Sequence, residues 1–102
     1  MVVTKHAKDR MKERCGYNKK TAKRMADKAL HYGLSHKDLI GEVEQWANCL
    51  YLSKRKANNI RIYGEQAYLF RNNVLLTVIQ VPNRCKNSLA LSKEKKRKGE
   101  NK

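Results

Sequence analysis

The stretch NIRIYGEQAYLFRNNVLLTVIQVP, residues 59–82, decides the fold. Its runs of β-branched, aromatic and other apolar residues are separated by the pairs GE (64–65) and NN (72–73), and they end at Pro82. Short apolar runs between two-residue turns are typical of strands joined as hairpins. The segment therefore predicts three antiparallel strands in a meander. Because both faces of the third strand are largely apolar, we expect it to be covered on both sides.

Two helices are expected near the start of the chain. Apolar residues recur every four positions between Thr4, a suitable N-cap, and a stop at Gly16. A second helix is capped by Asn18 and stopped by Gly33. Its apolar face consists mainly of small residues, which implies close packing against a neighbouring element.

A third helix is expected before the strands. Ser35 and Asp38 have the spacing of a capping box, and the apolar residues that follow, Trp46 among them, repeat at helical spacing. Gly41 lies within the first turns, where glycine lowers the stability of a helix by about 1 kcal/mol relative to alanine. The helix is therefore expected to begin later than the capping residues suggest.

The length of the chain, 102 residues, suits one domain with one modest core. We predict a single α+β domain over residues 1–87, in which two or three N-terminal helices pack on the three-stranded antiparallel meander. Residues 88–102 are dominated by lysine and other polar residues. A segment with so little apolar surface predicts a flexible, disordered basic tail.

The charge is strongly unbalanced, with 24 Lys and Arg against 9 Asp and Glu and a net charge of +15. Such an excess repels itself in a compact fold unless an anionic partner uses it, and polyphosphate is the commonest such partner. The sequence contains no apolar run of about 20 residues, no lipidation motif and no signal-peptide core. We therefore expect a cytoplasmic protein whose partner is nucleic acid, most simply RNA, and no membrane.

The three cysteines are far apart and lack the CxxC spacing of a shared metal site. A zinc site that combines two of them with His31 and His36 is conceivable, but the five-residue step between the histidines suits no single helix face. We expect reduced thiols, no metal and no cofactor. Glycine-rich phosphate loops and the HExxH motif are absent from the sequence, and acidic residues are too sparse for a two-metal nuclease.

One helical stripe combines a titratable group with phosphate ligands. His6, Arg10 and Arg14 follow one another at steps of four, so they lie along one side of the first helix. Arginine donates bidentate hydrogen bonds to phosphate, and histidine exchanges protons near neutral pH. On spacing alone, a solvated basic face that carries a chance histidine is the more common explanation of such a stripe.

A second group of candidates lies on the strands. Arg61 alternates with core residues and projects, together with Tyr63, to the opposite face of the first strand. Thr77 interrupts an apolar strand, where its hydroxyl needs a partner if it is buried. Tyr63, Tyr68 and Phe70 either stack on bases or belong to the core.

Further phosphate contacts are expected from the basic residues of the first two helices and from the end of the second strand. In addition to Arg14, the candidates are Lys5, Lys19, Lys20, Lys23, Arg24 and Arg71. If the protein cleaves RNA without a metal, the 2′-hydroxyl attacks its own adjacent phosphate. That reaction needs a general base, a general acid and cationic stabilisation, which His, Arg, Thr and Tyr side chains supply.

Three segments together resemble a known group of proteins: TKHAKDRMKER (residues 4–14), NIRIYG (59–64) and LTVI (76–79). They resemble small proteins of phages, other mobile genetic elements and Gram-positive bacteria that are similar in layout to the barnase, colicin and RelE-type superfamily of ribonuclease toxins. In that superfamily, helices precede an antiparallel sheet. The resemblance covers roughly residues 3–87 and implies a bacterial host cell.

The resemblance also implies roles for individual residues. His6 would be the general acid or base, and Arg10 and Arg14 would bind phosphate. Arg61 would supply a second phosphate contact, and Thr77 would be a polar member of a cleft between the first helix and the sheet. Two functions follow from this. The first is a metal-independent endoribonuclease or a toxin-like relative, with a cognate antitoxin as a possible partner. The alternative is a non-enzymatic nucleic-acid binder, for example an anti-CRISPR-like inhibitor of a host RNA-guided defence nuclease.

Overall fold

The computed structural model describes residues 2–54 and 56–100, with the backbone alone at 99–100. Within these ranges the chain forms four α-helices and four strands, and short 3₁₀ helices at His36–Asp38 and Asn83–Cys85 precede the last two α-helices. In chain order the elements are β1 (Val2–Val3), α1 (Lys5–Cys15), α2 (Lys19–Tyr32), α3 (Glu42–Ser53), β2 (Asn59–Tyr63), β3 (Gln66–Arg71), β4 (Val74–Gln80) and α4 (Lys86–Glu100). The α+β class is confirmed.

The sheet has the order β1-β4-β3-β2. Strands β2, β3 and β4 form the predicted antiparallel meander. The prediction of a purely antiparallel three-stranded sheet is wrong in one respect, because β1 pairs in parallel with β4 through Val2 opposite Val74. A two-residue strand carries no periodicity of its own, so only the tertiary fold reveals it.

Helices cover both faces of the sheet, as the apolar character of β4 predicted. Helices α1 and α2 pack on one face, where Met11, Tyr68, Phe70 and Val78 are buried. Helix α3 and the start of α4 pack on the other face, where Val43, Ile60, Ile62, Leu69 and Leu89 are buried. The result is a three-layer arrangement with a separate apolar cluster on each side of the sheet.

The first two helices begin at the predicted caps. The Ala7 N–H donates to Thr4 Oγ1 at 3.1 Å, and the Thr21 N–H donates to Asn18 Oδ1 at 2.8 Å. Helix α1 ends at Gly16, which has a φ of 69° in the left-handed region that glycine adopts at little cost. Local sequence chemistry is therefore sufficient to place these helices.

The third helix begins late, as the position of Gly41 indicated. The Asp38 carboxylate accepts hydrogen bonds from the Ser35 N–H and hydroxyl at 3.0 and 2.9 Å. Only a 3₁₀ turn follows, because Gly41 takes a φ of 70° and helix α3 starts at Glu42. The Ser35–Asp38 pair therefore orders a connection rather than the helix itself.

The predicted flexible tail, residues 88–102, differs from the structure over its described part, which is helical to Glu100. Helix α4 docks through hydroxyl groups. Ser88 Oγ accepts from the Val43 N–H at 3.0 Å, and the fully buried Ser92 Oγ accepts from the Ile40 N–H at 3.0 Å. The first bond satisfies a first-turn donor that α3 cannot pair within itself, and the second satisfies a donor in the connection that precedes α3. Residues 101–102 lie outside the described part of the chain.

The described residues form one unit. Their Cα radius of gyration is 13.1 Å, close to the value of about 13 Å for a domain of 100 residues. Helix α4 is therefore part of the domain rather than an appendage to residues 1–87. Within the described ranges, no helix combines the length and the apolar character needed to cross a membrane.

Candidate nucleic-acid interface

The sequence candidates His6 and Thr77 line the same pocket, although they come from opposite ends of the chain. The pocket has a volume of about 580 Å³ and lies between the first turn of α1, strand β4 and the segment that follows α3. We call it the His6 pocket, and its lining consists of His6, Leu52, Ser53, Lys54, Lys56, Ala57, Leu69, Leu76 and Thr77.

Backbone contacts to β4 fix the position of His6. The Thr4 N–H donates to the Leu75 carbonyl and the Thr4 hydroxyl donates to the Leu76 carbonyl, both at 3.1 Å. Pairing between β3 and β4 shifts between Leu69 and Phe70, so that Leu76 is left without a partner residue on β3. A bulge of this kind redirects side chains. Leu76 and its neighbour Thr77 both line the pocket, and the Leu76 carbonyl holds Thr4, the N-cap of α1.

The His6 pocket is electropositive. Lys54 and Lys56 are exposed at its rim, His6 is exposed, and Thr77 is half-buried. None of the described residues that line it is acidic. An imidazole, two ammonium groups and two hydroxyl groups, from Thr77 and Ser53, therefore face one space. This set can exchange protons and stabilise an anion.

The arginines of the α1 stripe do not line this pocket. Arg10 is 42% exposed and its Nη1 lies 3.6 Å from Glu13 Oε2, one turn further along the helix. Arg14 is exposed. The four-residue spacing of the stripe does not indicate Glu13 as a partner of Arg10. This ion pair partly neutralises the positive charge of the stripe. Both arginines remain accessible to a phosphate that passes along α1.

Arg61 lies apart from His6 and Thr77. Thr77 is opposite Leu69 in the sheet and therefore faces α3, whereas Arg61 is opposite Tyr68 and faces the α1 and α2 side. Arg61 lines a different cleft. The four catalytic candidates therefore do not share one cleft, because Thr77 and Arg61 lie on opposite faces of the sheet.

The other basic candidates are distributed over the surface. Lys20, Lys23 and Arg24 line a shallow depression of about 400 Å³ on α2 together with Asp27. Lys5 and Lys19 are exposed near the starts of α1 and α2. The Arg71 guanidinium donates to the Lys56 carbonyl at 3.1 Å and so lies next to the His6 pocket.

A further concavity, larger than the His6 pocket, is not indicated by any pattern in the sequence. It measures about 840 Å³ and lies along the β2 edge of the sheet. We call it the edge cleft, and its lining consists of Ser35, His36, Lys37, Asp38, Tyr51, Asn59, Arg61, Lys95 and Lys96. Of these, only Arg61 was a sequence candidate.

An aromatic pair lies in the edge cleft. The His36 and Tyr51 rings meet edge to face with centroids 5.6 Å apart, and His36 Nε2 is hydrogen-bonded to Asn48 Oδ1. The Ile60 N–H donates to the Tyr51 hydroxyl at 2.8 Å, which satisfies a donor on the edge strand. The hydroxyl keeps its own proton for donation to a ligand. These side chains are held in place before any ligand arrives.

The sequence carried little signal for the edge cleft. The composition of the sequence places Lys95 and Lys96 in a flexible tail, and the spacing of His36 suggests only a zinc ligand. The residues come from four elements that are distant in sequence, so no local spacing connects them. The weak available signal was the Ser35–Asp38 pair, which indicates an ordered turn at this position.

Of the three aromatic candidates for base stacking, two belong to the core. Tyr68 and Phe70 are almost fully buried, and burial raises the pKa of Tyr68 far above its ordinary value. Tyr63 is half-buried. Burial likewise raises the pKa of Cys15 and of Cys85, which favours the thiol form over the reactive thiolate.

Within residues 2–54 and 56–100, no three His, Cys, Asp or Glu side chains come together in a way that could hold a metal ion. A search of family models, of curated proteins and of solved structures found no match to the chain. The resemblance to ribonuclease toxins therefore stays a prediction. What can be said about function comes from the His6 pocket, the edge cleft and the distribution of charge.

Proposed function

We propose that the protein binds RNA and cleaves it in the His6 pocket without a metal ion. The observation that carries the proposal is the convergence of His6 and Thr77 with Lys54 and Lys56 in one pocket of about 580 Å³. A titratable imidazole, a hydroxyl and two cations are a sufficient set for phosphoryl transfer to the 2′-oxygen.

In the proposed reaction, His6 removes the proton from a ribose 2′-hydroxyl. The 2′-oxygen attacks the adjacent phosphorus, and the bond from phosphorus to the 5′-oxygen of the next nucleotide breaks. An ammonium group of Lys54 or Lys56 gives a proton to that leaving oxygen. Thr77 donates a hydrogen bond to a non-bridging oxygen, where negative charge accumulates in the transition state. The products are a 2′,3′-cyclic phosphate and a free 5′-hydroxyl.

The basic surface around the pocket positions the substrate. Arg71 is anchored on the Lys56 carbonyl, and Arg10 and Arg14 continue the positive surface along α1. Phosphate contacts of this kind fix the register of a nucleic acid without reading its sequence. We assign the same role to the exposed lysines Lys5, Lys19, Lys20 and Lys23 and to Arg24.

A non-enzymatic nucleic-acid binder is the second candidate, and one observation favours it. Arg10 and Arg61 lie outside the His6 pocket, so His6 is the single imidazole or guanidinium group among the described residues that line it. An inhibitor of a host RNA-guided nuclease would use the same basic surface to occupy a nucleic-acid channel and would need no chemistry.

Incubation of the purified protein with total RNA in excess EDTA separates the two functions. Discrete fragments with 2′,3′-cyclic phosphate ends support the nuclease. Intact RNA that migrates as a protein complex supports the binder. RNA that is neither cleaved nor shifted at low salt contradicts both.

A further inference from the structure

A second concavity adjoins the edge cleft. It measures about 340 Å³ and lies where α2 ends against β2 and α4. Lys96 lines both spaces, so they are neighbours along the β2 edge. We call the two spaces together the edge groove. The second space adds Tyr32, Leu34, Ile62, Tyr63, Gly64, Lys93 and Arg97 to the lining.

The edge groove has a strong excess of positive charge. Its cationic side chains are Lys37, Arg61, Lys93, Lys95, Lys96 and Arg97. Among the described residues that line it, Asp38 is the only acidic one. The Asp38 carboxylate is already engaged by the Ser35 N–H and hydroxyl and lies 3.7 Å from Lys96 Nζ. One carboxylate among six cations leaves most of the positive charge of the groove for an anionic ligand.

Two of these cations are held close together by one backbone oxygen. Arg61 Nη1 and Lys96 Nζ each donate to the Gly33 carbonyl at 3.3 Å, so the two nitrogens are no further apart than twice that distance. Arg61 Nε also donates to Asn59 Oδ1 at 3.2 Å. The Asp38 carboxylate lies beside Lys96, but a single negative charge does not balance both cations, so the pair still attracts an anion. A phosphate group has the charge and the acceptor oxygens to bind both.

Aromatic rings line both spaces of the groove together with the cations. His36 and Tyr51 lie in the edge cleft, and Tyr63 and Tyr32 lie in the adjoining space. Tyr32 is 72% exposed and lies beside the His31 ring, with centroids 6.4 Å apart, so its ring is accessible to a base. Cations that follow a backbone, together with rings on which bases stack, are typical of surfaces that bind single-stranded nucleic acid.

We propose that the edge groove binds single-stranded RNA, with phosphates at Lys96 and Arg61 and a base stacked on Tyr32. The proposal rests on the RNA-binding part of the proposed function and specifies the form of the substrate. A duplex hides the faces of its bases within the stack, so exposed rings favour an unpaired strand.

The backbone of β2 argues against a peptide as the occupant. The Leu34 N–H donates to the Ile62 carbonyl at 2.8 Å, and the Ile62 N–H donates to the Leu34 carbonyl at 3.0 Å. The Ile60 N–H is bonded to Tyr51. A peptide that adds a strand to a sheet needs free donors and acceptors at its edge. The edge at Ile60 and Ile62 is therefore closed to strand addition.

The test measures fluorescence anisotropy of a labelled 2′-O-methyl RNA at about 50 mM salt, as a single strand and as a blunt duplex. The 2′-O-methyl group removes the nucleophile, so binding is measured without cleavage. We expect the single strand to bind more tightly than the duplex. Tyr32→Ala should weaken single-strand binding at least about fivefold, the loss of one stacked base, whereas Tyr32→Phe keeps the ring and the affinity. Lys96→Gln should weaken binding to both forms.

Matched controls lie on the same helix as Lys96 but outside the groove lining. Lys86→Gln removes a charge from the start of α4, and Leu91→Ala removes an exposed apolar side chain, 56% exposed, from its middle. Both should leave single-strand affinity within about twofold of wild type. Circular dichroism of each variant confirms that the fold is retained.

The inference is overturned if Tyr32→Ala and Lys96→Gln bind the single strand as tightly as the controls do, or if the duplex binds more tightly than the single strand. In either case RNA binding itself persists, and the substrate lies elsewhere on the basic surface. Loss of binding in the groove variants, with no cleavage of unmodified RNA by wild type, would support the groove and contradict the nuclease.

Discussion

The hydroxyl of Ser92 on α4 accepts a hydrogen bond of 3.0 Å from the backbone N–H of Ile40, which lies more than fifty residues earlier in the chain. The same hydroxyl donates to the Ser88 carbonyl at 2.8 Å and is fully buried. A polar contact thus joins the end of the chain to the connection that leads into α3. Through this contact α4 presents Lys95 and Lys96 to the edge cleft.

Ser92→Ala should destabilise the protein by about 1–3 kcal/mol, because it leaves a buried backbone donor without an acceptor. Urea unfolding followed by circular dichroism measures the loss. Ser53→Ala is the control, since Ser53 is exposed and the bond from its hydroxyl to the Leu50 carbonyl is long at 3.4 Å. Equal stabilities of the two variants would show that the Ser92 contact is not formed in solution.

Gly33→Ala should lower both stability and RNA affinity. A Cβ atom at Gly33 would overlap the Ala29 carbonyl oxygen and lie 3.1 Å from Arg61 Cβ, and relief of such crowding costs about 1–3 kcal/mol. The Gly33 carbonyl that holds Arg61 and Lys96 would move with the backbone.

Gly16→Ala provides the comparison for Gly33→Ala. A Cβ atom at Gly16 meets nothing within 4 Å, so the substitution destabilises the protein only because alanine is strained at a φ of 69°. It should lower the free energy of unfolding by about 1–2 kcal/mol without any change in the dissociation constant for single-stranded RNA. An unchanged RNA affinity in folded Gly33→Ala protein would contradict the role given to the Gly33 carbonyl.

Stability should fall at acid pH through Asp38. Burial disfavours its charged form, but hydrogen bonds from Ser35 and the charges of Lys96 and Lys37 outweigh that effect and hold the pKa of Asp38 below its ordinary value. Its contribution is therefore complete above the unfolded pKa, about 3.9, and is lost as pH falls through the lower folded pKa.

Asp38→Asn tests this pH dependence. The variant should be about 1–2 kcal/mol less stable than wild type at pH 7, and the difference should shrink as the pH falls below the unfolded pKa of about 3.9, because the unfolded wild-type carboxyl then takes up a proton before the folded one does. Urea unfolding at a series of pH values measures the difference. A difference that is constant between pH 7 and pH 3 would show that the carboxylate charge plays no part.

RNA binding should depend strongly on salt. A net charge of +15 and basic surfaces on α1, α2 and α4 imply several phosphate contacts, each of which releases counterions. With about six contacts, affinity should fall about 10³-fold between 50 and 200 mM salt. Filter binding or anisotropy across that range gives the slope. Affinity that does not change with salt would contradict the basic-surface account.

The parts of the fold set by local chemistry were predictable from the sequence. Thr4 and Asn18 cap their helices with their own side chains, Gly16 ends α1 in the left-handed region, and Gly41 delays α3. The meander follows from apolar runs between two-residue turns. Each of these features is contained within a few consecutive residues, which is why a pattern along the chain detects it.

The parts set by contacts between distant segments were not predictable. Strand β1 exists because Val2 and Val3 meet β4, and α4 docks through two serine hydroxyls in a segment with little apolar surface. A criterion based on apolar content therefore treats α4 as a tail. The edge groove depends on α4, so the sequence does not indicate it for the same reason. His6 and Thr77, which the sequence singles out separately, line one pocket.

The most direct test of the proposed nuclease is the single-turnover cleavage rate of unmodified RNA in excess EDTA for wild type, His6→Ala and His31→Ala. His31 is an exposed histidine on α2 that contacts Asp27 and lines none of the pockets described above, so it is the matched control. We expect His6→Ala to lower the rate about 10²–10⁴-fold, with binding of 2′-O-methyl RNA retained, and His31→Ala to cleave like wild type. Equal rates for His6→Ala and wild type, or a wild-type protein that cuts no RNA in EDTA, would contradict the assignment of the His6 pocket as the catalytic site.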